Sequence, residues 1–435
     1  MNPVRIGLLG LGTVGNGTRR VLARNAEEIS RRAGRGIVIT RAAVRRLDRF
    51  GIADIALTNR PEEVVDDPDI DVVVELIGGV EPARALVLRA IHNGKHVVTA
   101  NKALIALHGN EIFSAAHAKG VVVAFEAAVA GGIPIIKAIR EGLAGNRVEW
   151  LAGIINGTSN FILTEMRDRG RDFTEVLKEA QVRGYAEADP TFDIEGIDAA
   201  HKLTILASIA FGIPLQFDKV YTEGISRITR ADVIYAEELG YCIKHLGLAR
   251  RTPAGIELRV QPTLISARQP LASVNGVMNA VLVKGDAVGQ TLYYGAGAGA
   301  EPTASAVVAD LVDVVRSLTA DPGNRVPHLA FQPDALSALP ILPMAEVETA
   351  YYLRLLALDK PGVLADVTRI LGDLGISIEA IMQKEPAPGV AEVPIIMLTH
   401  RVVERQMNAA IDRIEALPSI KDKVARVRLE HLDAE

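Results

Sequence analysis

Six residues near the start of the chain, Gly10-Leu11-Gly12-Thr13-Val14-Gly15, constrain its fold more than any other feature. They directly follow an apolar, β-branched run at 4–9 and open a stretch of helical character that runs through 18–25. Glycine at these spacings permits a tight turn, close approach of a ligand to the backbone, and close packing of helix on strand. The unpaired N–H groups and positive dipole end of such a helix favour phosphate. Alone the pattern is weak. With a strand before it, a helix after it and a βαβ continuation, it reads as a dinucleotide turn rather than a bare glycine-rich bend.

The rest of the first third keeps the same rhythm. Runs at 37–44, 72–77, 96–99 and 121–124 read as buried strands separated by helices, which implies a parallel, doubly wound α/β sheet. The second strand ends Ala42-Ala43-Val44-Arg45-Arg46, with no carboxylate before Asp48. An acidic residue there would bind a free ribose hydroxyl and an arginine a 2′-phosphate, so Arg45 favours NADP, with NAD the alternative.

The 435 residues exceed what one core usually supports. The dinucleotide-binding domain is expected over 1–134, completed by about 300–325. A second, α+β domain for substrate binding, catalysis and dimerisation spans 135–299, with helices at 161–169, 172–184 and 197–211. Residues 332–343, rich in proline, alanine and serine, lie in a linker at 326–348. Beyond it strands at 351–358, 376–383, 393–399 and 424–429 alternate with helices at 363–374 and 402–417, the βαββαβ order of a ferredoxin-like unit at 349–435.

Composition narrows the partners. The net charge of -5 comes from acidic and basic residues mixed along the chain, which argues against a nucleic-acid or anionic-membrane surface. No apolar run approaches the roughly 20 residues of a membrane span. The single cysteine, Cys242, cannot form an internal disulfide or a thiolate zinc cage, and no export signal precedes the first strand, so a reducing cytoplasm and small-molecule partners are expected. None of the nine histidines has zinc-motif spacing. Trp150 reads as core.

A nicotinamide enzyme acting on an alcohol needs a group to move the hydroxyl proton and groups that orient the substrate. Candidates cluster in Gly184-Tyr185-Ala186-Glu187-Ala188-Asp189-Pro190-Thr191-Phe192-Asp193 and in the helix that follows, where Asp198 and Lys202 stand at i and i+4 on one face. By spacing alone this pair could equally be an ordinary surface ion pair. His201, about 100° around the helix from Lys202, reads as a packing or surface residue.

The segments VELIGG (74–79), TANKALIA (99–106), NGTSNFIL (156–163), GYAEADP with its downstream DAAHK, and YGAGAGAEPTASAVVAD (294–310) resemble those of homoserine dehydrogenases, in that family's order, over residues 4 to about 320. The resemblance implies reversible NAD(P)-linked reduction of L-aspartate 4-semialdehyde to L-homoserine. Lys202 would be the proton donor, Asp198 its partner and Lys102 a second lysine near nicotinamide and substrate. Glu187 would bind the substrate ammonium, with Asp193, Tyr185 and Thr158 also at the substrate. Gly157, Gly297 and Gly299 would close over the cofactor held at Gly10, Gly12, Thr13, Val14 and Gly15. FEAAVAGGIP (125–134) resembles the family's monovalent-cation loop, with Glu126 and the carbonyls of Val129, Gly131 and Ile133 as sodium ligands. Ser159 and Ala296 depart from the family's usual threonine and proline.

The segment Leu353 to Leu364, with Asp359-Lys360-Pro361-Gly362 at its turn, resembles the opening of an ACT domain, a module that binds amino acids. The resemblance implies a threonine effector, its carboxylate suited to the N–H groups that open the next helix; sheet-mediated dimerisation is the alternative. Truncation near Pro340 is then expected to leave an active, threonine-insensitive enzyme, provided the domain is not also required for assembly. With the first strand at residue 4, a monofunctional enzyme is expected, as a homodimer or homotetramer. Two rivals remain: an acyl-thioester dehydrogenase using Cys242, in a stretch read as helical, and a non-catalytic sensor.

Overall fold

The computed structural model describes residues 2–49, 54–318, 325–384 and 390–432. Residues 319–324, within the stretch expected to complete the first domain, lie outside them. The chain forms two compact units: Met1–Gly157, Asp198–Val220 and Met278–Leu339 make the first, and Thr158–Ile197, Tyr221–Val277 and Pro340–Glu435 the second.

In the first unit β1 (Val4–Leu9), β2 (Ile37–Ala43), β3 (Ala56–Thr58), β4 (Val72–Glu75), β5 (His96–Thr99) and β6 (Val123–Ala124) form a parallel sheet in the order β3-β2-β1-β4-β5-β6. This is the expected doubly wound sheet. Its order reverses at β1 and β4, where a crevice opens at the strands' carboxyl ends. Strand β3 was not anticipated, because three residues are too few to show a period. Ile6, Leu8 and the valines of β4 are wholly buried, as strands covered on both faces must be.

The helix Ala300–Ser317 belongs to this half of the unit. Its Ala304, Val307 and Leu311 share a core with Val21 and Leu22 of the helix Thr13–Arg24. The two backbones meet at Gly17, where a Cβ would lie 2.4 Å from the Ala300 carbonyl oxygen. An antiparallel sheet of Val148–Ile154, Met278–Gly285 and Gly289–Ala296 also lies in this unit.

The second unit is built on the long antiparallel pair Tyr241–Thr252 and Gly255–Ser266. Cys242 therefore stands in a strand, not in the helix expected. Most of both strands is buried on either face, which erases the alternation that would have marked them. The ACT-like βαββαβ segment follows the expected order, with small shifts at its ends. The helix expected over 402–417 is Glu404–Glu415, preceded by a short strand, Val402–Val403, paired to Glu348 and Thr349.

That segment is not a freestanding module. Its last strand, Ala425–Leu429, lies parallel to Gly255–Ser266 through Thr263↔Arg428 and Leu264↔Leu429, and antiparallel to Glu348–Leu358. One sheet face packs Tyr351, Leu353 and Met397 against Val367, Leu371, Met407 and Ala410 of its helices. The other face, with Tyr352, Ile396, Leu398 and Val427, shares a core with Phe161, Ile162, Met166 and Val176. Ion pairs inside the same unit add register. The guanidinium of Arg354 pairs with Asp232 at 2.7 Å, and buried Arg428 holds Glu223 at 2.6 Å and the carboxylate of Glu404. Buried pairs of this kind contribute little net stability but penalise any slip that would separate them.

Candidate active site

The glycine turn has the geometry its residue types require. Gly10 has φ 101° and a Cβ there would lie 3.0 Å from the Leu76 carbonyl oxygen, while one at Gly15 would lie 2.2 Å from the carbonyl oxygen of Gly10. Gly12, which precedes the helix, has nothing within 4 Å of the equivalent point, so its open side is where a ligand can approach. Thr13 and Val14 form the first helical turn, whose N–H groups lack intrahelical acceptors. A crevice of about 570 Å³ is lined by Gly10, Leu11 and Gly12, by Arg45 and Arg46 at the end of β2, and by Leu76 and Ile77. Both arginines are exposed.

Glu75, at the end of β4, was not singled out from sequence. It is wholly buried, accepts N–H groups of Ile77 at 2.9 Å and Gly78 at 3.1 Å, and accepts the Thr99 hydroxyl at 2.6 Å. Burial raises its pKa despite these bonds. It clamps the loop that forms one wall of the crevice, and its signal was the VELIGG segment itself.

Three of the expected site residues converge in the first unit. Asp198, in the helix Ile197–Phe211, pairs through Oδ2 with Lys202 Nζ at 2.6 Å and through Oδ1 with Lys102 Nζ at 3.0 Å. Asn156 Nδ2 donates to Oδ2 at 2.9 Å, and Lys202 Nζ also donates to the Ile155 carbonyl at 2.8 Å. The Asp198 side chain is 6% exposed, Lys202 12% and Lys102 35%, so solvent or a substrate reaches this cluster from the lysine side. Burial alone would raise the Asp198 pKa, but the two ammonium charges and the bonds from Lys202 and Asn156 hold it well below the ordinary range. The ordinary surface pair is thereby set aside.

Lys102 opens the helix Lys102–Lys119, where the helix dipole disfavours a cation. A residue that breaks a local rule and is then paired from elsewhere is what a functional site produces. His201 is buried, its ring lies against Phe217 with centroids 4.3 Å apart and planes tilted by 30°, and burial lowers its pKa to about 4. It is a packing residue.

Thr158, Tyr185, Glu187 and Asp193 belong to the second unit. The Thr158 hydroxyl donates to the Tyr185 carbonyl at 2.6 Å and the Ser159 hydroxyl to the Asp193 carbonyl at 3.1 Å, so the helix Gly157–Arg169 is tied to both ends of the GYAEADPTFD loop. Serine at 159 thus keeps the hydroxyl that threonine would supply. Glu187 is exposed.

Gly157 begins its helix, Gly299 with φ 127° precedes Ala300–Ser317, and a Cβ at Gly297 would lie 2.1 Å from Asn279. In the loop resembling a cation site, Ala130 and Gly131 both have left-handed φ, and a Cβ at Gly131 would lie 2.4 Å from the Gly297 carbonyl oxygen. The two carboxylate oxygens of Glu126 accept the N–H groups of Ile136 and Lys137, each at 2.9 Å. The Ile133 carbonyl accepts the Ile135 N–H at 2.8 Å. Among the described residues the carbonyls of Val129 and Gly131 accept no hydrogen bond.

A parallel 3-2-1-4-5-6 sheet with a glycine turn at its switch point, and a carboxylate held between two lysines in the same unit, define a dinucleotide-dependent oxidoreductase. The comparisons give the particular kind. Residues 134–312 match the family model "Homoserine dehydrogenase", 10–126 match "Homoserine dehydrogenase, NAD binding domain" and 351–419 match "ACT domain". The homoserine dehydrogenase of Pseudomonas aeruginosa is 67% identical over 434 residues, covering 100% of both chains, and that of Neisseria gonorrhoeae is 57% identical, covering 99% of this chain and 100% of its own. The crystal structure of a homoserine dehydrogenase from Thiobacillus denitrificans superposes with a TM-score of 0.96 at 70% identity, covering 100% of this chain and 99% of that one. A hyperthermophilic archaeal homoserine dehydrogenase in complex with NADPH matches with a TM-score of 0.63 at 26% identity, over 72% of this chain and 98% of that one. The chain belongs to the homoserine dehydrogenase family and is an oxidoreductase of amino-acid biosynthesis with a C-terminal ACT domain. No helix among the described residues is long and apolar enough to cross a membrane.

Proposed function

We propose that the chain reduces L-aspartate 4-semialdehyde reversibly to L-homoserine with NADP(H), Lys202 delivering the proton. The observation that carries this reading is the carboxylate of Asp198 held between Lys202 and Lys102. The cofactor supplies a hydride to the aldehyde carbon. Lys202 Nζ gives its proton to the aldehyde oxygen, and Asp198 keeps that ammonium charged and aimed until transfer. Lys102, the more exposed of the two lysines, offers a second positive charge to the developing alkoxide. Glu187, Asp193, Tyr185 and Thr158 bind the substrate's polar groups. The test is Lys202→Ala, for which a roughly 10²- to 10⁴-fold loss in kcat with cofactor affinity retained is expected; a loss of less than about tenfold would remove Lys202 from the role.

NADP is the proposed cofactor, supported by exposed Arg45 and Arg46 beside the crevice and by the NADPH bound to the archaeal relative. Arg45→Ala would raise the KM for NADP more than that for NAD. A sodium ion in the loop after β6 would be held by Glu126 and the carbonyls of Val129, Gly131 and Ile133. Threonine is the proposed effector of the ACT segment, and the assembly a cytoplasmic homodimer or homotetramer. Residues 1–134 with 300–325 are assigned to cofactor binding, 135–299 to substrate, 326–348 to a linker and 349–435 to regulation.

A further inference from the structure

We infer that the second unit binds a free α-amino acid in a cavity beside the strand Ala425–Leu429, an inference that rests on the regulatory reading above and names its site. The cavity measures about 830 Å³, ample for one amino acid and its water. It arises from a divergence in the sheet. Ala425–Leu429 pairs with Gly255–Ser266 only at Arg428 and Leu429, while Arg259 and Val260 pair with Tyr221 and Thr222 instead. Ala425, Arg426 and Val427 are bonded on one side to Arg354, Leu353 and Tyr352. Their other edge has no strand partner among the described residues, and they line the cavity together with Pro262.

The charges around it select the ligand. Most are already paired with one another: Arg354 with Asp232 at 2.7 Å, Arg426 with Glu404 at 3.0 Å, and Lys423 with Glu415. Two exposed lining side chains stand outside these pairs: Arg227, and Asp412, which feels Lys423 only through its charge. A cation without an ion pair and a carboxylate held only in the field of Lys423 complement a zwitterion, the carboxylate meeting Arg227 and the ammonium Asp412. An open strand edge adds backbone donors and acceptors of the sort that hold extended ligands. Ile228, Ile411 and Val424 supply a small apolar wall. Asp412, Asp422 and Glu415 make the same space unfavourable for phosphates.

The cavity wall is continuous with the segment that enters the catalytic helix. Glu223 and Gly224 line it. The Ile225 N–H donates to the Ile194 carbonyl at 2.8 Å, and a Cβ at Gly224 would lie 2.5 Å from that same oxygen. His245 Nε2 lies 3.0 Å from the Glu223 carbonyl oxygen and packs on Gly196, after which the chain runs into Ile197–Phe211. A ligand that draws Arg227 and Asp412 together therefore pulls on 223–225 and, through them, on 194–196.

The test is calorimetric titration of the full chain with L-threonine and then with each other proteinogenic amino acid, on wild type, Arg227→Ala, Asp412→Asn and Lys360→Ala. Melting temperatures check that each variant is folded. Binding weakened roughly ten- to hundredfold by either cavity variant and unchanged by Lys360→Ala supports the site. Threonine binding that survives both cavity variants and disappears in Lys360→Ala places the effector at the turn and overturns the cavity site, leaving the effector reading intact. If another amino acid binds in threonine's place with the same response to the cavity variants, the site stands and threonine fails as the effector. No binding of any amino acid at millimolar concentration overturns both.

Discussion

Replacing Asp198 by asparagine keeps the size of the side chain and its contact with Asn156, and removes only the negative charge. At 2.6 Å from Lys202, that charge attracts the ammonium by about 6 kcal/mol at an effective dielectric of about 20. The amide dipole and entering solvent replace part of the loss, so the expected change is that of a carboxylate–cation neighbour, about one to three pH units. In the wild type the depressed pKa of Asp198 means that its contribution is fully present above its ordinary value of 3.8 and is lost only as pH falls through the lower folded value. Asp198 thus stays charged through the neutral range, and with Lys202 as the proposed proton donor the alkaline limb of the reductive reaction is expected to follow the loss of that proton. Asp198→Asn should move that limb towards acid by about one to three units, with kcat recovering part of its loss at low pH. Reduction of the aldehyde, followed by loss of reduced-nicotinamide absorbance across the pH range in wild type and variant, measures it. A uniform fall in kcat with both limbs in place would show that Asp198 only packs the helix, and would refute the reasoning.

Three further outcomes are expected. Gly131→Ala combines a φ of 53° with a Cβ 2.4 Å from a backbone oxygen that cannot swing away, so a loss of about 1–3 kcal/mol and a raised cofactor KM are expected, read by thermal melts and initial rates. Lys244 is 1% exposed, donates to the Val274 carbonyl at 2.6 Å and is pushed down by burial to about 8. The unfolded chain binds more protons between that value and its ordinary 10.5, so stability rises with pH there by up to about 3 kcal/mol; Lys244→Met should flatten that rise in urea melts at about pH 7 and about pH 10. Ending the chain after Leu339 uncovers Phe161, Ile162, Met166, Val176 and Leu264, on the order of 10 kcal/mol of apolar burial against a domain stability of about the same size. An aggregating or inactive product is expected instead of the active, threonine-insensitive enzyme that the ACT resemblance implies, and a soluble, active truncation would contradict this packing.

What was legible in the residues and what was not divides along physical lines. The doubly wound sheet followed from short buried runs punctuated by helices, and the pairing of Lys202 with Asp198 from a helical spacing of four. Lys102 joins them from a distant segment, which only the family resemblance could anticipate. Asn156 lay unremarked within the NGTSNFIL segment because an amide donor has no spacing to Asp198 that sequence would show, and the Ile155 carbonyl escaped notice because a backbone acceptor leaves no mark on composition. The strand holding Cys242 was misread because burial on both faces removes a period of two. The ACT segment joins the sheet of Gly255–Ser266 through only two residue pairs, Thr263↔Arg428 and Leu264↔Leu429, and no local pattern announces a partner so far along the chain.

That narrow parallel seam has a consequence for how the protein is made. The edge of Gly255–Ser266 receives Ala425–Leu429 only when the ribosome has synthesised roughly 160 further residues, about 10–30 s at ordinary elongation rates. Until then the nascent hairpin presents an uncapped hydrophobic border to solvent, the kind of border that recruits foreign strands. Ala425–Leu429 is the last of the named strands to be made, so the sheet of the second unit is complete only after that strand has emerged. Its biogenesis should accordingly depend on holding chaperones more than that of the first unit, whose β1 to β6 are complete within the first 124 residues.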